Sequence, residues 1–255
     1  MSLDIITSPL LEGLPHGFFG RRGGASSGVF AGLNCGQGST DQAEAVTINR
    51  ARVAEALGVP PSHLVGLHQS HSAAVVTVTA PLVPRPRADG MATRTPGLAL
   101  SVLTADCQPV LLADREAGVI GAAHAGWRGT LAGIIERTLD AMVSLGAEPH
   151  RTRAAIGPTI SQRAYEVGPE LMEEVLAEDP EAARFFAGGK GDRVHFDLPG
   201  YGLMRLRRLG VEAEWTRHCT YSDPGRFFSY RRSVHAREAD YGRLIAAIAL
   251  PLDQP

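Results

Sequence analysis

Three short apolar segments stand almost back to back between residues 98 and 123, LALSVLT, PVLLA and AGVIGAA, and a fourth, AAVVTVT, lies at 73–79. Each is bounded by Pro, Gly or Asp and is too short for a helix, so they read as successive strands of a core sheet. A 3.6-residue period then takes over from Trp127 to Leu145, with Leu131, Ile134, Ile135, Leu139 and Met142 on one face and Gly146 as the stop. Several strands in a row before a central helix is neither a regular βαβ alternation nor an all-β pattern. The order predicts a layered α+β protein rather than a Rossmann domain or a barrel.

Upstream, Ser39 and Gln42 have capping-box spacing ahead of an apolar face carrying Val46, Val53 and Leu57, so 40–57 reads as a helix, although Asn49 and Arg50 interrupt its stripe. Downstream, helices are expected at 169–177, 180–187, 199–209 and 235–249, and strands near 153–156, 193–196 and 211–215. The Pro-rich PLVPRPR at 81–87 is too short to divide the chain and reads as a rigid loop. With 255 residues and no convincing linker, one domain over 1–255 is the expectation.

Charge excludes some partners. Lys plus Arg number 25 against 27 Asp plus Glu, for a formal charge of -2, so no overall field selects nucleic acid or an anionic membrane, and small molecules are the expected partners. The first residues lack a basic start followed by an apolar core, and no apolar run approaches membrane-spanning length. The three cysteines, Cys35, Cys107 and Cys219, are odd in number and widely spaced, which points away from a disulfide framework and towards a cytoplasmic location. Neither GRRGGASSG at 20–28 nor GWRG at 126–129 matches a nucleotide-binding fingerprint.

The chemistry concentrates where strands end. TADCQP at 104–109 and AAHAGWRG at 122–129 each pass from apolar residues to reactive ones, which pairs Cys107 with His124. His124 also stands just before the predicted helix, whose free amides favour an anion or a thiolate. Of the two histidines in GLHQSHS, His71 is the one chosen to join them. A thiolate and two neutral imidazoles make a three-ligand catalytic zinc site with a fourth position open, and copper is the rival metal. The bland readings are a buried cysteine acting as a small hydrophobe and histidines satisfied by backbone.

Asp106 precedes the cysteine and is a candidate to orient a ligand or act on substrate; a strand-end cap is its structural reading. Arg128 beside the helix start, Arg21 in the glycine-rich loop and Arg231 in HCTYSDPGRFFSYRR are candidates for substrate or phosphate, each against the reading of a solvated surface arginine. A cysteine hydrolase with Cys107 as nucleophile, His124 as base and Asp106 or His71 as orienter is one alternative. A non-catalytic metal-binding or partner-binding protein is another.

HGFFGRRGGASSGVFAGLNCG at 16–36, HQSHS at 68–72, TADCQPV at 104–110, HAGWRG at 124–129, AAIGPTISQRAYEVG at 154–168 and CTYSDPGRFFSYRR at 219–232 resemble the bacterial laccase-domain family, also called the peptidoglycan editing factor family. That resemblance implies a single-domain four-layer α/β/β/α sandwich with mixed sheets. It implies zinc on His71, Cys107 and His124, a pocket that Arg21 also lines, and phosphorolysis of adenosine, guanosine, inosine and methylthioadenosine together with adenosine deamination. It further implies, for some members, a role in keeping L-serine out of cell-wall precursors. Copper-dependent polyphenol oxidation is the lesser alternative. The sequence departs from the family pattern at Tyr241, where a threonine usually precedes Gly-Arg, and at Gln162 and Arg163.

Overall fold

In the computed structural model, which describes residues 2–252, the chain opens with strands β1 (Ile5–Ile6) and β2 (His16–Phe19) and helix α1 (Ala43–Ala56). Strands β3 (Leu64–Val65), β4 (Val75–Thr77), β5 (Gly90–Thr93), β6 (Ala99–Thr104), β7 (Gln108–Asp114) and β8 (Val119–Ala125) follow in series, as the run of apolar segments requires. Helices α2 (Trp127–Leu131) and α3 (Ile134–Ser144) lead to β9 (Arg153–Ile156), β10 (Glu166–Val167) and α4 (Pro169–Glu178). Then come β11 (Phe186–Gly188), β12 (Val194–Phe196), α5 (Leu198–Arg208), β13 (Glu212–Trp215), α6 (Tyr230–Ala236) and β14 (Leu244–Ala249).

The result is an α+β fold with mixed sheets. A five-stranded sheet runs β1-β2-β14-β6-β3, a six-stranded one β13-β9-β7-β8-β5-β4, and a small three-stranded one β10-β12-β11. Most neighbours are antiparallel, but β3–β6, β4–β5 and β9–β13 are parallel. Period-two alternation decides which face each residue serves. Leu111 and Ala113 of β7 join Leu100 and Val102 of β6 and Ala246 and Ile248 of β14 in one apolar cluster. Val110 and Leu112 point the other way, onto Ile134, Ile135, Leu139 and Met142 of α3 and Leu206 of α5. Ala99, Ile245 and Ala247 meet Val53 and Ala54 of α1 and Leu57 at its end.

Four local expectations change. The long central helix is two helices, because Gly133 sits at φ 88° and breaks the run into α2 and α3. Of the helix expected over 235–249, only 235–236 is helical, as the end of α6, and 244–249 is instead the strand β14, central in the five-stranded sheet; LIAAIA is buried on both faces and so carries no period that distinguishes helix from strand. At α1 no capping box forms: Gln42 makes no side-chain cap, and the Ser39 hydroxyl instead donates to the Gly36 carbonyl. The segment at 180–185 is a 3-10 helix. Among the described residues no helix is long and apolar enough to cross a membrane.

Candidate metal centre

The turn between β6 and β7 carries Cys107, and its shape depends on Asp106, a non-glycine residue at φ 92°. Such a conformation needs support from its surroundings. The Asp106 carboxylate accepts from the Thr220 hydroxyl at 2.6 Å, the Ser229 hydroxyl at 2.9 Å and the Arg231 amide at 2.7 Å. Its carbonyl accepts from the Thr159 hydroxyl at 2.7 Å and the Ile160 amide at 3.0 Å. The turn is thereby bolted to the 219–231 segment, and the carboxylate is engaged by these donors rather than by either histidine.

His124 lies in β8 opposite Pro109 of β7, which brings it beside the cysteine turn. His71 sits at φ 59° in a bend between β3 and β4. One buried residue, Asp89, holds both. Its carboxylate accepts from the backbone amides of Ser70, His71 and Ser72 and from the Ser72 hydroxyl. It also accepts from His124 Nδ1 at 2.8 Å, while its carbonyl accepts from the His124 amide at 2.8 Å. A carboxylate acceptor places the proton on Nδ1 and leaves Nε2 free to bind.

The donor atoms of His71, Cys107 and His124 lie within 4.8 Å of one another. Cys107 Sγ is 3.8 Å from His71 Nε2, and the two imidazole rings meet edge to face at 4.7 Å between centroids. Burial opposes ionisation of the Cys107 thiol, but the His124 charge and hydrogen bonds from His124 and His71 outweigh it and bring the thiol to about 7. Burial likewise disfavours charged His124, yet the Cys107 thiolate and Asp89 together raise it to about 9. Burial also works against the Asp89 carboxylate, but the His124 and Ser72 hydrogen bonds hold it well below the usual range. Each group favours the charge of its neighbour, an arrangement that can hold a cation once the proton held between Cys107 and His124 Nε2 is displaced.

Gly126 shows how closely the cluster is packed: a Cβ there would lie 2.9 Å from Cys107 Sγ and 3.1 Å from His71 Cδ2. The cluster opens into a cavity of about 510 Å³ whose walls include Gln69, Arg85, Tyr230, Tyr241 and Arg243. Gln69 is committed to scaffold, since its amide exchanges two 2.7 Å hydrogen bonds with the backbone of Leu103. Tyr230 and Tyr241 rings lie 5.0 Å apart, and the Arg243 guanidinium stands 4.1 Å over Tyr241.

The other arginines named from sequence sit elsewhere. Arg21 donates to the Ala31 and Pro224 carbonyls, lies over Phe228 and borders a different depression. Exposed Arg128 lies over Trp127, and Arg231 donates to the Glu166 carbonyl. None of the three lines the cavity of the cluster. In their place stand Arg85 and Arg243, which sequence reasoning missed, as it missed Asp89 and Tyr230. Tyr241 had left a trace as a departure from the family pattern. Asp89 left none, because an Asp-Gly after a Pro-rich loop reads as a turn.

The model of one protein family, the multi-copper polyphenol oxidoreductase laccase, matches residues 15–251. A purine nucleoside phosphorylase of Deinococcus radiodurans is 43% identical, over 98% of this chain and 94% of its own length. Another protein of that name, from Streptomyces coelicolor, is 42% identical over 87% of this chain and 91% of its own. The crystal structure of the Neisseria meningitidis protein NMB0706 superposes with a TM-score of 0.88 at 34% identity, covering 98% of this chain and 100% of that one. YlmD from Geobacillus stearothermophilus does so with a TM-score of 0.86 at 29% identity, covering 96% and 94%.

Two findings correct the expectation of a zinc-dependent phosphorylase and deaminase. The matching family model is described as a multi-copper laccase, and the cluster, two imidazoles with one thiolate, is a donor set that suits copper. The cofactor expectation changes with it, from zinc to a copper-type ion.

Proposed function

The chain belongs to the laccase-domain family, and from that premise we propose that it is a metal-dependent enzyme that acts on small molecules of the purine nucleoside class at a copper-type centre held by His71, Cys107 and His124. The observation that carries the reading is the convergence of three donor atoms within 4.8 Å at the wall of a roughly 510 Å³ cavity. A cavity of that size suits a nucleoside-sized ligand. When bound, a copper-type ion supplies Lewis acidity and a site for electron transfer.

The chain's own groups do the rest. Asp89 fixes the His124 ring and the turn of His71, so the donors need little rearrangement to bind. Tyr230 and Tyr241 offer π faces to a flat base, and Arg243 and Arg85 offer charge to an anionic end or co-substrate such as phosphate. The names borne by the relatives in Deinococcus and Streptomyces support purine nucleosides and phosphate as the small molecules. Oxidation of a phenol is a second reading, favoured by the description of the matching family model. We also read 1–255 as one domain stacked as a four-layer α/β/β/α sandwich, on the strength of apolar packing on both faces of the two large sheets. A cytoplasmic location is supported by the three free cysteines.

Metal competition and product analysis test the proposal together. Protein offered equal copper and zinc should retain copper at one ion per chain, and His124→Ala should retain none. Incubation with adenosine, with and without phosphate, should release a new purine product that the variant does not make. Zinc retained in preference would remove the copper assignment. Oxygen uptake with catechol and no change in adenosine would transfer the function to the second reading.

A further inference from the structure

We infer that a second cavity, beside the metal pocket, is an anion site that takes a phosphate group on Arg50, Arg85 and His68. The cavity, of about 530 Å³, lies between α1, β3 and the Pro-rich loop at 81–84, and no acidic residue lines it. Arg50 is the residue that interrupts the apolar stripe of α1. It is half-buried, and its guanidinium donates through Nη2 to the Leu64 carbonyl at 3.2 Å. Arg85 enters from the loop and donates through Nη1 to Gln37 Oε1 at 2.9 Å. Among the described residues the ion pairs of arginine involve other side chains, and neither Arg50 nor Arg85 has a carboxylate within reach.

Two guanidinium groups therefore share one cavity without a counter-charge. Burying a cation without a partner is costly, and a second like charge adds to the cost. Burial holds the Arg50 guanidinium below its ordinary pKa, outweighing the opposing effect of Cys35, and the charge of Arg85 adds a smaller push in the same direction as burial. An anion relieves both costs, and the planar fork of arginine fits the oxygens of phosphate. His68 and Arg85 line this cavity and the metal pocket alike, so a phosphate here is next to whatever occupies the metal centre. The inference deepens the proposed function, in which Arg85 already offers its charge to a phosphate co-substrate, and rests on that reading for the use of the bound anion.

Calorimetric titration of the whole protein with inorganic phosphate, and separately with adenosine 5′-monophosphate, tests it without any turnover. Arg50→Gln and Arg85→Gln should each weaken binding by about tenfold or more, the loss expected for a charge-assisted contact. Arg137→Gln, an exposed arginine on α3, should leave it unchanged. Inorganic phosphate binding alone identifies free phosphate as the source of the anion; tighter binding of the monophosphate, with the same loss in the variants, identifies a phosphorylated substrate. Should Arg50→Gln not fold, the exposed Arg85→Gln decides. The proposal is overturned if wild type binds neither probe at roughly 10 mM, a barely measurable affinity, or if both variants bind as wild type. It is also overturned if binding vanishes in Cys107→Ala but persists in Arg85→Gln, since the metal would then be holding the anion. None of these outcomes bears on the metal preference measured above.

Discussion

Asp89 is buried to 0% exposure, and its carboxylate reaches the backbone of the His71 bend and the ring of His124 at once. Removing an orienting carboxylate behind a ligand histidine commonly weakens metal binding by about ten- to a hundredfold. Asp89→Ala should show such a loss in a competition titration with a copper chelator; an unchanged affinity would mean that the histidines orient themselves. Gly126 offers a complementary test from the opposite side of the ligands. Ala there introduces a methyl group 2.9 Å from Cys107 Sγ, and crowding of this kind costs about 1–3 kcal/mol. Gly126→Ala should therefore lower copper affinity by roughly tenfold or more while the far-UV circular dichroism stays that of wild type. Asn49 explains the other break in the α1 stripe: fully buried, it donates to Ser26 and the Asn34 carbonyl and accepts from the Ala25 amide, stitching the glycine-rich loop to the helix.

Strand ends are where the elements are tied together. Asp114 closes β7, and its buried carboxylate accepts from the amides of Glu116, Ala117 and Glu148 and from Arg151 Nε. Burial opposes its charge, but the Glu148 and Ala117 amides and Arg151 outweigh that and lower its pKa. With the folded value depressed, the stabilisation is fully present above the unfolded value of about 3.9 and is lost as pH falls through the folded one. Asp114→Asn should cost about 1–3 kcal/mol in urea unfolding at pH 7, with the gap to wild type narrowing below about pH 4. A gap that stays constant into acid would show that the amide hydrogen bonds matter and the charge does not. At this scale the run from β6 to β8 was legible because turns and short apolar segments leave few choices. β14 was not, since a short all-apolar segment obtains its conformation from the strands on either side, β2 and β6.

Across the whole molecule, the apolar clusters between and outside the sheets are assembled without any contribution from His71, Cys107 or His124. Chelation should therefore leave the secondary-structure signal intact and lower only the melting temperature. For free metal at a hundred times its dissociation constant, linkage gives about 2.7 kcal/mol. In a chain of this length that is roughly 5–10 °C. A chelated sample without secondary structure would instead make the ion part of the fold. By itself the sequence determined the strand series ahead of a central helix, the α+β class and the pairing of Cys107 with His124, because hydrophobic period and strand-end position are local properties. Only the tertiary structure decided that Asp89 rather than Asp106 holds His71 and His124 in place and that Arg85 and Arg243 rather than Arg21, Arg128 and Arg231 face the cavity. Those choices depend on which side chains from distant segments share a space. Sequence distance carries no record of that, and packing alone fixes it.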